Sequence, residues 1–421
     1  MADSSQPVAL RDIVLQHYQR HVNSGTARLA KATRLPVEVR SEGCYVFDQD
    51  GDAYLDCGGY SVFLLGHRHP DVVDAVKAQL DRHPLATRAM LSAELGRASA
   101  SLATCTPSGM EYVLFTNSGA EAVEVGIKLA RLSGKTRIIS SVGGFHGKTM
   151  GALSITGRPH YREPFHPLLP DIDFVSYGDA EAMATALATD GGRSCVILEP
   201  VQGESGVVIP PEGYLREVRR LCDVNGAFLI LDEIQTGLGR LGSWWGADRE
   251  QVIPDILLAG KALGGGVMPV GAAVAGASAF SRLNRDPFLH TSTFAGNPLA
   301  MAAAEAAITV IRRDDIVTRA GILGKNILVE LKQILGEACP GLISDVRGAG
   351  LLLGIEFHQE HAAWDFSREL LRRKVITANS LNAFSVVRLT PPAVMTESDC
   401  RRLFDAVGDA ARTLRQRYGS Q

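Results

Sequence analysis

The sequence predicts an α/β protein with a mostly parallel central sheet covered by helices, plus a smaller α+β part assembled from both ends of the chain. Three observations carry this reading. Short apolar runs rich in β-branched residues recur at Tyr112–Thr116, Arg137–Ser141, Cys195–Glu199, Ala227–Leu231 and Ile256–Ala259. Helical periodicity lies between them, at Ala120–Leu132 and Tyr214–Val224, and strands alternating with helices build parallel sheets buried on both faces. Finally, apolar residues make up 46% and charged residues 21% of the 421-residue chain. That is globular composition, with length enough for two or three domains.

The elements follow in order. Leu10, Ile13, Val14 and Tyr18 share one face of a helix over 9–22. The stretch YVFDQDGDAYLD alternates apolar and polar residues about Asp50-Gly51, a hairpin signal. Helices are expected over 70–82 and 90–105, before the alternating core begins. From residue 298 the pattern is helical again (Pro298–Arg312, Ile316–Leu335), and GLLLGIEF and FSVVRLT then read as strands. Thr396 with Asp399 signals a capped final helix whose buried stripe is Leu403, Phe404, Val407 and Leu414. The expected division is 1–60 and 301–421 for the smaller part and 61–300 for the larger.

Several function classes are disfavoured. With 43 Lys+Arg against 46 Asp+Glu, the chain lacks the basic footprint of a nucleic-acid binder. Its seven cysteines are scattered, odd in number and without a C-x-x-C pair, so neither zinc nor a disulfide framework is indicated and a cytoplasmic, reducing setting fits. MADSSQPV does not resemble a signal peptide. Ala262–Phe280 is uncharged and long enough to span a bilayer, but it is mostly Ala and Gly with Pro269; a Gly-rich buried turn explains it better.

Three places carry chemistry. In FTNSGAEAVEVGIKLAR a strand runs into Asn117-Ser118-Gly119-Ala120 and then a helix. A helix N-terminus offers unsatisfied N–H groups to an anion, so this turn could hold a phosphate; alternatively Ser118 simply caps the helix with Glu121. In LILDEIQTGLGR a buried strand ends in Asp232-Glu233 followed by Gln235. A carboxylate there could hold a protonated ring nitrogen or a metal, or form a solvated acidic turn. In ILLAGKALGGGVMP, Lys261 follows an apolar strand directly and precedes three glycines. Desolvation at such a place favours the neutral, nucleophilic amine.

The ordered series NSGAE, GGFHG, LEPVQGE, LDEIQTG, GKALGGG and STFAGNP, with GHRHP near residue 66 and VRLTPP near 388, resembles the class III aminotransferases of pyridoxal-phosphate fold type I over nearly the whole chain. The likeness is strongest to the putrescine branch, then to the ornithine and acetylornithine branches. It implies a transaminase that moves a terminal amino group from an amine donor to a 2-oxo acid acceptor, with pyridoxal 5'-phosphate as cofactor and no metal, nucleic-acid or membrane partner. Through the resemblance, Lys261 would carry the cofactor and shuttle a proton, and Asp232 would keep the pyridine nitrogen protonated. Gln235 would bond the phenolic oxygen, and Phe145 would stack on the ring with His146 beside it. Ser118, Gly119 and Ala120 would hold the phosphate, and Thr293 would reach it from the neighbouring subunit of a homodimer.

Two further residues would meet substrate. Arg388 matches the arginine that binds the α-carboxylate of glutamate or 2-oxoglutarate, and Glu204 the acid that pairs with it when a carboxylate-free amine is bound. Tyr60 is expected at the pocket wall. Lys148 stands where ornithine-type relatives carry an arginine, which weakens bidentate recognition of a donor carboxylate and points to a diamine. The alternatives are an ornithine, acetylornithine or pathway-specific amine or aldehyde aminotransferase, an aminomutase, racemase or decarboxylase of the same fold type, a catalytically silent regulator, and a nucleotide-binding α/β protein that uses the 117–120 turn.

Overall fold

The computed structural model describes residues 9–418; the N-terminal MADSSQPV stretch lies outside them. Its centre is a seven-stranded sheet. In spatial order the strands are Met110–Thr116, Gly271–Gly276, Ile256–Ala259, Phe228–Asp232, Ser194–Leu198, Arg137–Ser141 and Ile172–Val175. Every strand runs the same way except Gly271–Gly276, which is antiparallel to both neighbours. The five strands read from sequence all form, shifted by a residue or two at three of them.

The uncharged stretch after Lys261 corrects an expectation. It is not only a turn: after a short helical turn at Lys261–Gly264 it forms the buried strand Gly271–Gly276 and enters the helix Ala277–Arg285. Its Ala- and Gly-rich composition, with Val274 the one β-branched residue, gives that strand little local signal. Small residues are needed here, since a Cβ on Gly271 would lie 2.5 Å from the Ser118 carbonyl oxygen. The strand Ile172–Val175, short and at the sheet edge, is a further strand beyond those the sequence predicts.

Apolar residues pack on both sheet faces. On one, Val123, Ile127 and Ala130 of the helix Gly119–Leu132 meet Ile138, Ile197, Ile230 and Leu258. On the other, Leu229, Leu231 and Leu257 join a larger core that continues into the helices Pro298–Arg313 and Ile316–Ala338. The hairpin about Asp50-Gly51 forms as Tyr45–Asp48 and Ala53–Asp56, and Ala53–Asp56 pairs in parallel with Val375–Ile376. The two ends of the chain thus build one small sheet. A second sheet holds Ile343–Ala349, Leu352–Phe357, Val386–Leu389 and Ala378–Asn379.

The last helix, Glu397–Tyr418, starts with the expected capping box. Thr396 Oγ1 accepts from Asp399 N at 3.3 Å, and Asp399 Oδ2 accepts from Thr396 N at 2.8 Å. At the other end, the helix begun by Leu10 turns π-helical at Tyr18–Val22, and Leu10, Ile13 and Tyr18 stay exposed within one chain. No described helix is long and apolar enough to cross a membrane.

One helix offers an internal control on packing. In Ile316–Ala338, a Cβ on buried Gly324 would lie 2.0 Å from the Gly350 carbonyl oxygen, whereas at Gly336 it would meet nothing within 4 Å. Gly324→Ala should therefore destabilise by about 1–3 kcal/mol through overpacking against backbone. Gly336→Ala should stabilise by about 0.5–1 kcal/mol, because alanine loses less backbone freedom on folding. Urea unfolding midpoints of the two variants should move in opposite directions.

Candidate active site

The carboxyl ends of the parallel strands converge on one edge of the sheet, where ligands of open α/β folds lie. Thr116 leads through Ser118 into the helix Gly119–Leu132, and Ser141 leads into the loop of Phe145 and His146. Leu198 is followed by Glu199, Phe228–Asp232 ends on its aspartate, and Ala259 is two residues before Lys261. Gly119, Ala120, Phe145, Asp232, Gln235 and Lys261 line one cavity there, of about 260 Å³.

Ser118 does cap the helix, accepting from Glu121 N at 3.2 Å, while Glu121 reaches back to Asn117 N at 3.0 Å. The cap and an anion site are compatible. The first-turn N–H groups of Gly119 and Ala120 have no intrahelical acceptor, and both residues line the cavity. Asp232 and Glu233, adjacent in sequence, separate sharply. Glu233 points away, accepting from Gly246 N and Ala247 N at 2.8 Å each, and burial pushes its pKa up to about 7. It is not a solvated acidic turn.

Asp232 faces the cavity. Its Oδ2 lies 2.7 Å from His146 Nδ1 and its Oδ1 accepts from Ile234 N at 3.1 Å. Burial acts to lower the His146 pKa, but the hydrogen bond and charge of Asp232 outweigh it, so the imidazole is raised above its usual value. Lys261 takes a left-handed backbone (φ 45°) straight after extended Gly260. Burial lowers its pKa, Arg388 adds to that, and Glu204, Asp232 and Glu199 oppose it. Among the described residues no metal-binding cluster of His, Cys, Asp or Glu occurs.

The match to known proteins is as broad as the geometry suggests. The family model for class III aminotransferases matches residues 28–411. The chain belongs to that family. Putrescine aminotransferase of Pectobacterium atrosepticum is 43% identical, over 96% of this chain and 90% of that protein. The ornithine aminotransferase of Toxoplasma gondii superposes with a TM-score of 0.86 at 30% identity, covering 96% of this chain and 99% of the other. An (S)-enantioselective omega-transaminase of Thermomicrobium roseum gives 0.89 at 26% identity, covering 97% and 100%. Class III aminotransferases use pyridoxal phosphate, and the cavity suits it: a helix N-terminus for an anion, a buried carboxylate for a ring nitrogen, and an amine lowered toward its neutral form.

Other residues of this aminotransferase lie farther out. Glu204 Oε1 is 2.7 Å from Arg388 Nη1, with both side chains buried. Glu204 Oε2 also accepts from Leu381 N at 3.0 Å. Even so, none of the three Arg388 guanidinium nitrogens has a hydrogen bond of proper geometry. Tyr60 and Thr293 do not line the cavity within one chain. Tyr60 is 69% exposed, and Thr293 is exposed next to Ser292, whose Oγ is 3.4 Å from Asn117 Nδ2. Lys148 is exposed, with its ammonium 4.3 Å from the centre of the Tyr161 ring.

Glu199 escaped the sequence reading. Its one signal in the sequence is an acid ending an apolar strand run. The carboxyl accepts from Phe145 N at 2.9 Å and Gly203 N at 3.1 Å, so it ties together the loops that carry Phe145 and Glu204. Burial first, then the charge of Asp232, raises its pKa to about 7, against the pull of His146 and the two N–H groups. A carboxyl with a raised folded pKa holds its proton better in the native state than in the unfolded one. Its stabilisation is complete below about pH 4 and is lost as pH rises through about 7. Glu199→Gln should flatten the fall in unfolding free energy of the cofactor-free protein between pH 5 and 8, a change on the order of 3 kcal/mol for one such group. Denaturant midpoints across that range test this, and a slope equal to wild type would show that Glu199 does not titrate there.

Proposed function

We propose that this aminotransferase moves a terminal primary amino group from a diamine or similar ω-amino compound to a 2-oxo acid such as 2-oxoglutarate or pyruvate, by a ping-pong mechanism. The observation that carries the reading is the Glu204–Arg388 pair. A guanidinium buried without proper hydrogen bonds has unused capacity for the two oxygens of a carboxylate. Glu204 beside it balances the charge when the bound amine has no such group. One pocket can then take a dicarboxylate in one half-reaction and a carboxylate-free amine in the other. The putrescine aminotransferase likeness supports a diamine donor. Exposed Lys148, directed to Tyr161, is not the forked arginine suited to a second carboxylate.

The residues divide the work in this reading. Ser118, Gly119 and Ala120 hold the phosphate, Phe145 covers one face of the ring, and Gln235 meets the phenolic oxygen. Asp232, oriented by His146, keeps the ring nitrogen protonated, and Glu199 fixes the loops on either side. When bound, pyridoxal phosphate supplies an electron sink for the substrate carbon that loses its proton. Lys261 Nζ carries the cofactor at rest, then takes that proton and returns it. Burial, which lowers its pKa, favours the neutral amine that such a transfer needs. A set with a lysine, carboxylate and carboxamide in place supports an active enzyme over a silent regulator. The carboxylate-ready Arg388 supports a two-substrate transaminase over a mutase or decarboxylase.

The donor assignment is tested by steady-state kinetics with putrescine, cadaverine, ornithine, N-acetylornithine and 4-aminobutyrate against 2-oxoglutarate and pyruvate. The diamines should lead in kcat/KM. An advantage of more than about tenfold for ornithine or N-acetylornithine, about 1.4 kcal/mol in transition-state binding, would sink it.

A homodimer with shared sites completes the proposal. Met90 (84% exposed), Leu91 and Phe288 (85%), in the segments that carry Arg88 and Thr293, are exposed apolar side chains of the kind that subunit contacts cover. Arg88 Nη1 joins these two segments by donating to the Ala295 carbonyl at 3.4 Å. Thr293, outside its own chain's cavity, is free to serve the partner's phosphate site. The seven cysteines are free thiols, which supports a reducing cytoplasmic setting. Mixing Lys261→Ala with Thr293→Ala subunits should create hybrids with one intact site and one doubly damaged site. At equal mixing, activity should approach about a quarter of wild type. Hybrids no more active than the average of the parents would rule out shared sites.

A further inference from the structure

We infer that Ser61 is a positioning residue of this active site, which fixes the carboxamide of Gln235 through its hydroxyl. Ser61 is buried (2% exposed), and its Oγ accepts from Gln235 Nε2 at 2.9 Å. On the other side, Gln235 is wedged against Gly203, where an added Cβ would lie 1.9 Å from Gln235 Oε1. The amide that lines the cavity is therefore gripped from both ends. Of its two N–H bonds, one is committed to Ser61 and one is left to point elsewhere.

The backbone gives a second, independent reason to assign Ser61 a role. Tyr60 and Ser61 are consecutive non-glycine residues in the left-handed region, at φ 48° and 65°, a conformation disfavoured for any residue with a Cβ. Such strain persists only where the surroundings impose it, and it gathers at functional sites. The surroundings here are elaborate. Asp56 Oδ1 accepts from Gly58 N and Gly59 N at 2.8 and 2.9 Å, and its other oxygen lies 2.9 Å from His67 Nε2. Arg240, fully buried, donates to the carbonyls of Ser61 at 3.2 Å and Pro391 at 2.7 Å. No carboxylate forms an ion pair with Arg240 among the described residues. A glycine would occupy this turn with less strain, yet the residue present is one whose hydroxyl reaches Gln235.

This inference rests on the proposed contact between Gln235 and the cofactor's phenolic oxygen. A carboxamide held in one orientation keeps its remaining N–H on that oxygen and favours its ionised form. Removing the hydroxyl frees the amide to rotate and weakens that preference. The effect passes through Gln235, so Ser61 itself need not touch cofactor or substrate.

The test uses Ser61→Gly, Ser61→Ala, Gln235→Ala and the double variant Ser61→Ala/Gln235→Ala as holoenzymes, with wild type. Two readouts are the pH midpoint of the bound cofactor's visible absorbance and the melting temperature of each cofactor-free protein. Ser61→Gly relieves the left-handed strain, so it should melt no lower than wild type and keeps the test independent of folding. Ser61→Ala retains the strain and should melt lower. Despite opposite effects on stability, both should raise the absorbance midpoint together by about half a pH unit. Both should also lower kcat several-fold with little change in KM for the amine, and Ser61→Ala should add nothing in the Gln235→Ala background. Midpoints at wild type in both Ser61 variants, with a shift in Gln235→Ala, overturn the role of Ser61 and leave the reading of Gln235 standing. A wild-type midpoint in Gln235→Ala overturns both.

Discussion

An aspartate at the end of a buried strand must find a partner, and the charge arrangement of the site follows from that demand. Asp232 is 3% exposed, and the group that meets it is His146, itself buried. Their hydrogen bond raises the imidazole pKa against its own burial. Burial, with that negative charge added, holds Glu199 up to about 7, so a second full negative charge in the pocket is disfavoured near neutrality. Lys261 is pulled the other way by burial and Arg388, toward the neutral amine. That one carboxylate favours the protonated form of all three groups, with burial supporting it at Glu199 and opposing it at His146 and Lys261.

That arrangement needs five strand ends within reach of one another. The common direction of the parallel strands supplies them, since each delivers its next loop to the same edge. The single reversed strand, Gly271–Gly276, keeps the edge compact. Its small residues let the Ser118 turn approach so closely that a Cβ on Gly271 would collide with the Ser118 carbonyl. The helix N-terminus is thereby brought beside Lys261 and Asp232 in one cavity. Composition that resembled a membrane span or a loose turn is the composition required for close packing between strand and turn.

The Glu204–Arg388 pair is built from two distant segments of the chain. Arg388 lies on the strand Val386–Leu389, and Glu204 reaches it from a loop that follows the central sheet. The turn carrying Ser61 comes from near the N-terminus, pinned by Arg240 and by Thr390, whose hydroxyl donates to the Gly58 carbonyl at 3.1 Å. The pairing of Ala53–Asp56 with Val375–Ile376 holds these distant segments in register. The turn carrying Ser61 and the strand carrying Arg388 are thus held by contacts between segments far apart in the chain.

The α/β class, the β-branched strands and the capped last helix are legible in the sequence, because each is written in local periodicity or in residues three apart. The sequence also marks Asp232, Lys261 and the Ser118 turn, since an ionisable or glycine-rich break in an apolar run stands out without knowledge of the fold. The tertiary structure alone decided that Asp232 faces the cavity while Glu233 turns away, a choice made by Gly246 and Ala247, thirteen and fourteen residues beyond Glu233. It alone revealed Glu199 bridging two loops and Ser61 holding Gln235 across 174 positions. It also left Tyr60 and Thr293 outside the cavity of their own chain. Hydrogen bonds between distant segments leave no period in the sequence, and the cost of burying a charge depends on neighbours that only folding brings together.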